Sequence, residues 1–224
     1  SERFDRLPAP TADGDGMQVL IEKYTMPDGS ERFEVYVCGT VTFDPVADAE
    51  PWDMTSNIEN AQGTDAASVR AVVEAMEAAG VDSSTPVIRN GCSQGGGVVA
   101  RVATIEDFNV VGVVAFGGNT GQTPIPDDVT AVLVEHDDDL VPALGGRQDN
   151  DQAVFVTREA YGADAPPPPG LVVPAHRRPA YEETARLMDA AQSERLTEAT
   201  AEFAALTDGA TSVEVSTYRF ERVP

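Results

Sequence analysis

The 224-residue chain is expected to fold as an α/β protein: a central, mostly parallel sheet, helices on both faces and a β-hairpin near the N-terminus. Three observations carry that expectation. Strand-like and helix-like segments alternate after residue 37. Val110 to Phe116 is an unbroken apolar run, as a strand buried on both faces requires. A tight, glycine-rich turn, Gly91-Cys92-Ser93-Gln94-Gly95, joins the apolar Pro86-Val87-Ile88 to the small, apolar Gly96-Gly97-Val98-Val99-Ala100.

Taken in order, residues 1–16 are polar and rich in Pro, Asp and Gly, and read as a loose lead-in. Residues 17–224 read as a single domain, complete or part of a longer protein. Met17 to Tyr24 alternates weakly and meets the turn Met26-Pro27-Asp28-Gly29-Ser30; Phe33, Val35 and Val37 then share one face, which predicts a hairpin. Gly39 to Trp52 reads as loop, with Pro45 and Pro51 as breakers. Ala67, Val69, Val72, Val73 and Met76 stand at helical spacing and Gly80 stops them, so 65–79 is a predicted helix. A strand at 86–89 and a helix from Gln94 to Thr104 follow, then the strand 110–116, the loop 117–121 and a strand at 129–135. The proline-rich stretch 164–174 cannot be regular, and Pro166 to Pro169 is a stiff extended spacer. Ala180 to Leu206 reads as one long helix and Val213 to Phe220 as the last strand.

Composition narrows the function classes. Hydrophobic residues at 42% and charged residues at 24% are ordinary for a soluble globule. No run of 18 apolar residues exists, so no membrane span or stable membrane insertion is expected. No basic segment followed by an apolar one opens the chain, so no signal peptide is read, and the start at Ser1 suits a mature product or an excised domain. The net charge of −23 opposes binding to nucleic acid or anionic membranes. Lys23 is the only lysine, a bias that, with abundant Ala, Val, Asp and Gly, suggests a GC-rich bacterial genome.

The turn at Ser93 has the form G-x-S-x-G between a strand and a helix, which holds a serine hydroxyl clear of the sheet. In a chain with 19 glycines that pattern means little until a base, an acid and an oxyanion site accompany it. Only two histidines exist. His176 lies just beyond the proline-rich loop and reads as the general base. His136 closes a predicted strand and reads as locally structural. Asp137, Asp138 and Asp139 all follow that strand and precede His176, the order Ser, Asp, His expected of such sites. The residues alone leave the choice among the three open.

Four segments, in order, resemble the class 3 (fungal-type) lipases of the α/β-hydrolase superfamily. Val35-Tyr36-Val37-Cys38-Gly39-Thr40 with Trp52 and Asn57 is similar to their R-G-T/S…W…N segment, and Gly91 to Gly96 to their G-H-S-x-G-G. Ala115 to Gly121 resembles F-G-x-P-x-x-G without its proline, and His136 to Leu144 resembles H-x-x-D-x-V-P-x-L. The resemblance spans roughly residues 17–181 and implies an α/β-hydrolase fold. It implies Ser93 as nucleophile, Asp139 as acid, His176 as base, and Thr40 with the Gln94 backbone N–H as oxyanion hole. The activity implied is that of a carboxylesterase or lipase working through an acyl-enzyme, on a small-molecule or lipid ester, with no cofactor and no metal. A catalytically silent hydrolase-like interaction domain is the alternative. An acyltransferase or peptidase using the same residues is a third reading that no feature selects.

Two residues depart from the family pattern. Cys38 stands in place of its arginine and Cys92 in place of its histidine. By the resemblance these lie at neighbouring strand ends, which raises a Cys38–Cys92 disulfide as one expectation and two small buried thiols as the other. A disulfide would imply an oxidising compartment, hence a soluble secreted or cell-surface protein. The segment Val41 to Trp52 lies where these lipases carry a lid. Here it holds Asp44, Asp48 and Glu50 and few large apolar residues, which favours short-chain or dispersed esters.

Overall fold

The computed structural model describes residues 1–11, 14–162 and 164–223; Ala12 and Asp13 of the expected lead-in, Ala163 and Pro224 lie outside the described residues. Among the described residues seven strands make one mixed, mostly parallel sheet. They are β1 (Val19–Thr25), β2 (Glu31–Val37), β3 (Val87–Cys92), β4 (Val110–Phe116), β5 (Thr130–His136), β6 (Val154–Arg158) and β7 (Ser212–Tyr218), ordered β6-β5-β4-β3-β2-β1-β7. β2 to β6 run parallel, while β1 is antiparallel to both its neighbours. The expected hairpin is therefore present, with Ile21 opposite Val35 and a turn closed by Met26 N–H to Ser30 O at 2.8 Å.

The sheet separates two cores. On one face α2 (Met54–Ala61), α3 (Ala67–Ala79) and α4 (Gln94–Val102) cover Phe33, Val35, Val37, Val113 and Leu133. On the other, α1 (Glu2–Arg6), α6 (Arg178–Asp189) and α7 (Glu194–Thr207) cover Tyr36, Ile88, Val114, Phe116 and Val134. Alternation along each central strand supplies both cores at once, which is why β4 reads as a continuous apolar run. α5 (Leu140–Gly145) is a short helix between β5 and β6.

Three expectations are corrected. The predicted long helix over 180–206 is two helices, α6 and α7, parted at Ala190–Gln192; Ser193 caps α7 by accepting the Leu196 N–H. An unbroken helix there would extend about 40 Å and could not keep both Tyr181 and Phe203 against the sheet, where both are buried. The loose lead-in contains α1, whose Phe4 is fully buried and which is followed by the buried Leu7. A helix this short does not persist alone. Burial of those two side chains contributes about 1.5–3 kcal/mol each, and Arg3 and Arg6 pair with the sheet carboxylates Glu34 (2.9 Å) and Glu22 (3.3 Å). Finally α2, α5 and β6 occupy stretches for which no element was expected. Each is short, and α2 depends on Asp53, which caps it by accepting the Ser56 N–H at 2.8 Å.

No helix among the described residues is long and apolar enough to cross a membrane.

Candidate functional site

The parallel strands β2, β3 and β5 end on the same side of the sheet, and the candidate residues gather there. Ser93 is the residue between β3 and α4. Its backbone sits at φ 55°, ψ −122°, a region that costs an ordinary residue roughly 1–3 kcal/mol. The conformation is held by Ser93 N–H to Phe116 O at 2.8 Å and Gly96 N–H to Ser93 O at 2.9 Å. The flanking glycines are required by crowding: a Cβ on Gly91 would strike the Gly95 carbonyl, and one on Gly95 the carbonyls of Val37 and Cys38. The turn therefore packs flat against the end of β2.

The structure brings Ser93, His176 and Asp139 into one hydrogen-bonded line. Ser93 Oγ is 2.7 Å from His176 Nε2, and His176 Nδ1 is 2.6 Å from Asp139 Oδ2. His176 comes from the short 3-10 turn Pro174–His176 that ends the proline-rich loop, and Asp139 caps α5, its Oδ1 accepting the Val141 N–H at 3.0 Å. The carboxylate holding a proton on Nδ1 leaves Nε2 free to accept from the serine hydroxyl. Burial alone would raise the Asp139 pKa, but donors from His176, the Val141 N–H and Tyr181 outweigh it and hold the carboxyl below its usual range. The group is thus ionised and fixed.

The other aspartates go elsewhere. Asp138 accepts the backbone N–H groups of Ala160 (2.8 Å) and Tyr161 (3.1 Å), bracing a loop, and Asp137 is exposed. His136 is buried away from the serine and bonds Ala175 O and Thr184 Oγ1, in keeping with a structural reading.

Thr40 and Gln94 flank the serine. Gly39 lies so close that a Cβ on it would be 3.3 Å from Ser93 Cβ, which brings Thr40 beside Ser93. Among the described residues neither the Thr40 nor the Gln94 backbone N–H donates a hydrogen bond, so both remain available at the turn. The Gln94 side chain, fully buried, donates to Asp53 O at 3.2 Å. Asp53 in turn is held by Arg222 (2.6 and 3.1 Å), which also donates to Asp48 O and Glu50 O.

Cys38 and Cys92 are both free thiols, so the disulfide expectation is not met. They do lie at adjoining strand ends, Val37 opposite Gly91. However, β2 stops at Val37, and Cys38 departs from the alternation to join the core under α3 and α4. Cys92 packs against the other core. Burial pushes the Cys92 thiol up to about 12 and the Cys38 thiol well above its usual value, so both stay protonated. The argument for an oxidising compartment lapses with the bond.

A cleft of about 730 Å³ opens over Ser93 and His176. Its walls include Val41, Phe43, Ile58, Leu144 and Val172, all at least partly exposed, and Pro8 and Pro10 from the N-terminal segment. Phe43 is 75% exposed, Leu144 81% and Val172 73%, so the mouth is apolar. The expected lid segment, Val41 to Trp52, supplies only part of this apolar wall, which is assembled from five separate segments. Within the expected lid segment Glu50 is not a solvated acid; it accepts from Gln18 Nε2 (2.7 Å) and the Trp52 N–H (2.8 Å). A second cleft of about 710 Å³ lies beneath α1 and shares no lining residue with the first. Among the described residues no group of three His, Cys, Asp or Glu side chains could hold a metal ion.

Tyr181 escaped the sequence reading. It sits one turn into α6, fully buried, and its hydroxyl donates to Asp139 Oδ2 at 2.8 Å. Only its position five residues past His176, on a predicted helix, could have pointed to it. Comparison with protein-family models, with curated proteins and with solved structures finds no match to this chain.

Proposed function

We propose that the protein is a serine hydrolase of the α/β-hydrolase type, built on a Ser93–His176–Asp139 triad. Within that class we assign it to carboxylic esters, as an esterase or lipase. The observation that carries the reading is the continuous line Ser93 Oγ–His176–Asp139, at 2.7 and 2.6 Å, on a strained strand-to-helix turn.

In the proposed reaction Ser93 Oγ attacks the acyl carbonyl carbon while His176 Nε2 takes the hydroxyl proton. Asp139 keeps its own charge and stabilises the imidazolium. The carbonyl oxygen, now negative, accepts from the Thr40 and Gln94 backbone N–H groups. Collapse of the tetrahedral intermediate breaks the bond to the leaving alcohol oxygen, which takes the proton from His176. Water then attacks the acyl-serine with His176 again as base, releasing a carboxylic acid and restoring the hydroxyl. The apolar wall of the cleft suits a hydrocarbon acyl chain, and it, together with the resemblance to class 3 lipases, supports ester over peptide substrates.

The test uses p-nitrophenyl butyrate and a fluorophosphonate probe on wild type and Ser93→Ala. Wild type is expected to turn over the ester and to label at Ser93, and the variant to lose about 10⁶-fold in kcat. A wild-type protein that does neither is the silent interaction domain instead.

A further inference from the structure

We propose that His136, the histidine outside the triad, is a positioning residue that tethers the catalytic histidine's turn to the sheet and, through Tyr181, fixes the triad acid. The proposal rests on the serine-hydrolase reading above.

His136 is the last residue of β5, only 2% exposed, with both ring nitrogens engaged. Nδ1 lies 2.7 Å from the carbonyl of Ala175, the neighbour of His176. A carbonyl only accepts, so Nδ1 carries the proton. Nε2, left as an acceptor in the neutral ring, lies 2.7 Å from Thr184 Oγ1, whose one proton it shares with the Ala180 carbonyl at 3.1 Å, while the same oxygen accepts from Arg158 Nε at 2.9 Å. One imidazole thus spans β5, the 3-10 turn and α6.

Its ring face meets a second partner. The Tyr181 ring stacks on it, centroids 3.9 Å apart and planes within 14°. The Tyr181 oxygen accepts the His136 N–H at 3.3 Å and donates to Asp139 Oδ2, the oxygen that also binds His176 Nδ1. The same phenol ring stands edge-on to the His176 imidazole, at 6.2 Å and 83°. His136 and Tyr181 together therefore contact the acid, the base and the backbone that carries the base.

The turn needs such a tether. It follows the proline-rich loop, begins after Val173 at φ 45°, and its own backbone bonds are local: His176 N–H to Val173 O and Arg177 N–H to Pro174 O. Among the described residues the Ala175 carbonyl bond is the link from this turn's backbone to the sheet. Burial, and Arg158 beside it, lower the His136 pKa against the opposing pull of the Ala175 bond, Asp138 and Asp139, so the ring is neutral at neutral pH and serves as donor and acceptor together.

The test compares kcat and KM for p-nitrophenyl butyrate in wild type, His136→Phe, His136→Asn and Tyr181→Phe, per folded molecule by circular dichroism. His136→Phe keeps a ring for stacking and removes both nitrogens; kcat is expected to fall roughly 10- to 100-fold, since small misplacement of a catalytic group is that costly, with KM within about twofold. His136→Asn, whose amide N–H stands near the place of Nδ1–H, recovers most of the loss. Tyr181→Phe removes one donor from Asp139, concentrates its charge on His176 and moves the acid limb of the kcat/KM profile to higher pH. Wild-type kcat in His136→Phe, or no recovery in His136→Asn, overturns the assignment. Should His136→Phe fail to fold, an unshifted acid limb in Tyr181→Phe overturns it. A wild type that neither labels nor turns over ester fails the hydrolase reading itself, whatever the variants do.

Discussion

Asp139 and Arg89 are both ionisable side chains shut away from water, and the protein treats them in opposite ways. The Asp139 carboxylate has a donor on each oxygen: the Val141 N–H on Oδ1, and His176 and Tyr181 on Oδ2. Arg89, in the middle of β3 and fully buried, has no hydrogen-bond partner for Nε, Nη1 or Nη2 among the described residues. What faces the guanidinium among the described residues is the Phe108 ring, its centroid 5.3 Å away, a cation–π contact. The two pKa values both fall, for different reasons. Specific donors overcome burial at Asp139, whereas burial alone pulls Arg89 down to about 9, still cationic at neutral pH. A buried charge with its full set of partners marks a place where position is used. A buried charge with none is a cost that the rest of the core carries.

Of the changes that bear on this contrast, the one with the largest expected effect breaks its first half. Asp139→Asn should lower kcat by about 10⁴-fold, because the amide cannot hold His176 in the required tautomer. Asp138→Asn, which only loosens the Ala160–Tyr161 brace, should cost less than about tenfold under the same assay. If Asp138→Asn proves the more damaging, the acid is misassigned.

The second prediction attacks the other half. Arg89→Met should raise stability by about 2 kcal/mol, since an apolar side chain of similar length removes an uncompensated charge, while kcat stays at the wild-type value. Urea midpoints with an unchanged slope would measure it. A lowered midpoint would mean that the guanidinium is satisfied in solution.

The smallest effect sharpens the comparison through pH. The folded Asp139 pKa lies below its unfolded value. Its contribution to stability is therefore fully present above about pH 4, the unfolded range, and is lost as pH falls through the lower folded value. The stability difference between wild type and Asp139→Asn should shrink on acidification below pH 4 and stay constant above it. Arg89 has the opposite sense. Its folded pKa is lowered from that of a base, so the burial cost is complete below about 9 and eases only above it.

What was legible in the sequence follows the same division. The Ser93 turn could be read from a local pattern, its glycines being forced by backbone crowding, and His176 from being one of two histidines; Asp139 was singled out only by the resemblance, in a D-x-V-P segment where the aspartate caps a helix. The central strands could be read because burial on both faces leaves a continuous apolar run. Tyr181 could not, because its partner is 42 residues away and a buried tyrosine on a helix looks like ordinary core. The break between α6 and α7 was hidden by Ala190 and Ala191, good helix formers at the point where the chain must change direction. The cysteine pair misled because neighbouring strand ends, as the resemblance implied them, do not fix the side: Cys38 turns into the core on one face of the sheet and Cys92 packs against the other. Arg89 carried no signal at all: nothing local distinguishes a partnered arginine from a lone one.

The sheet also orders events in time. β1, near the start of the chain, is flanked by β7, near its end, with Ile21 opposite Ser216. Arg222, a few residues further on, fastens the segment that carries Asp53, on which the Gln94 side chain leans. A ribosome adding about 5–20 residues per second reaches that strand roughly ten to forty seconds after the first has emerged. Until then the sheet has a bare edge and the wall of the cleft has no clasp. The protein is thus assembled like a belt whose buckle follows the strap, and a nascent chain cannot fasten its own site until Arg222 is in place.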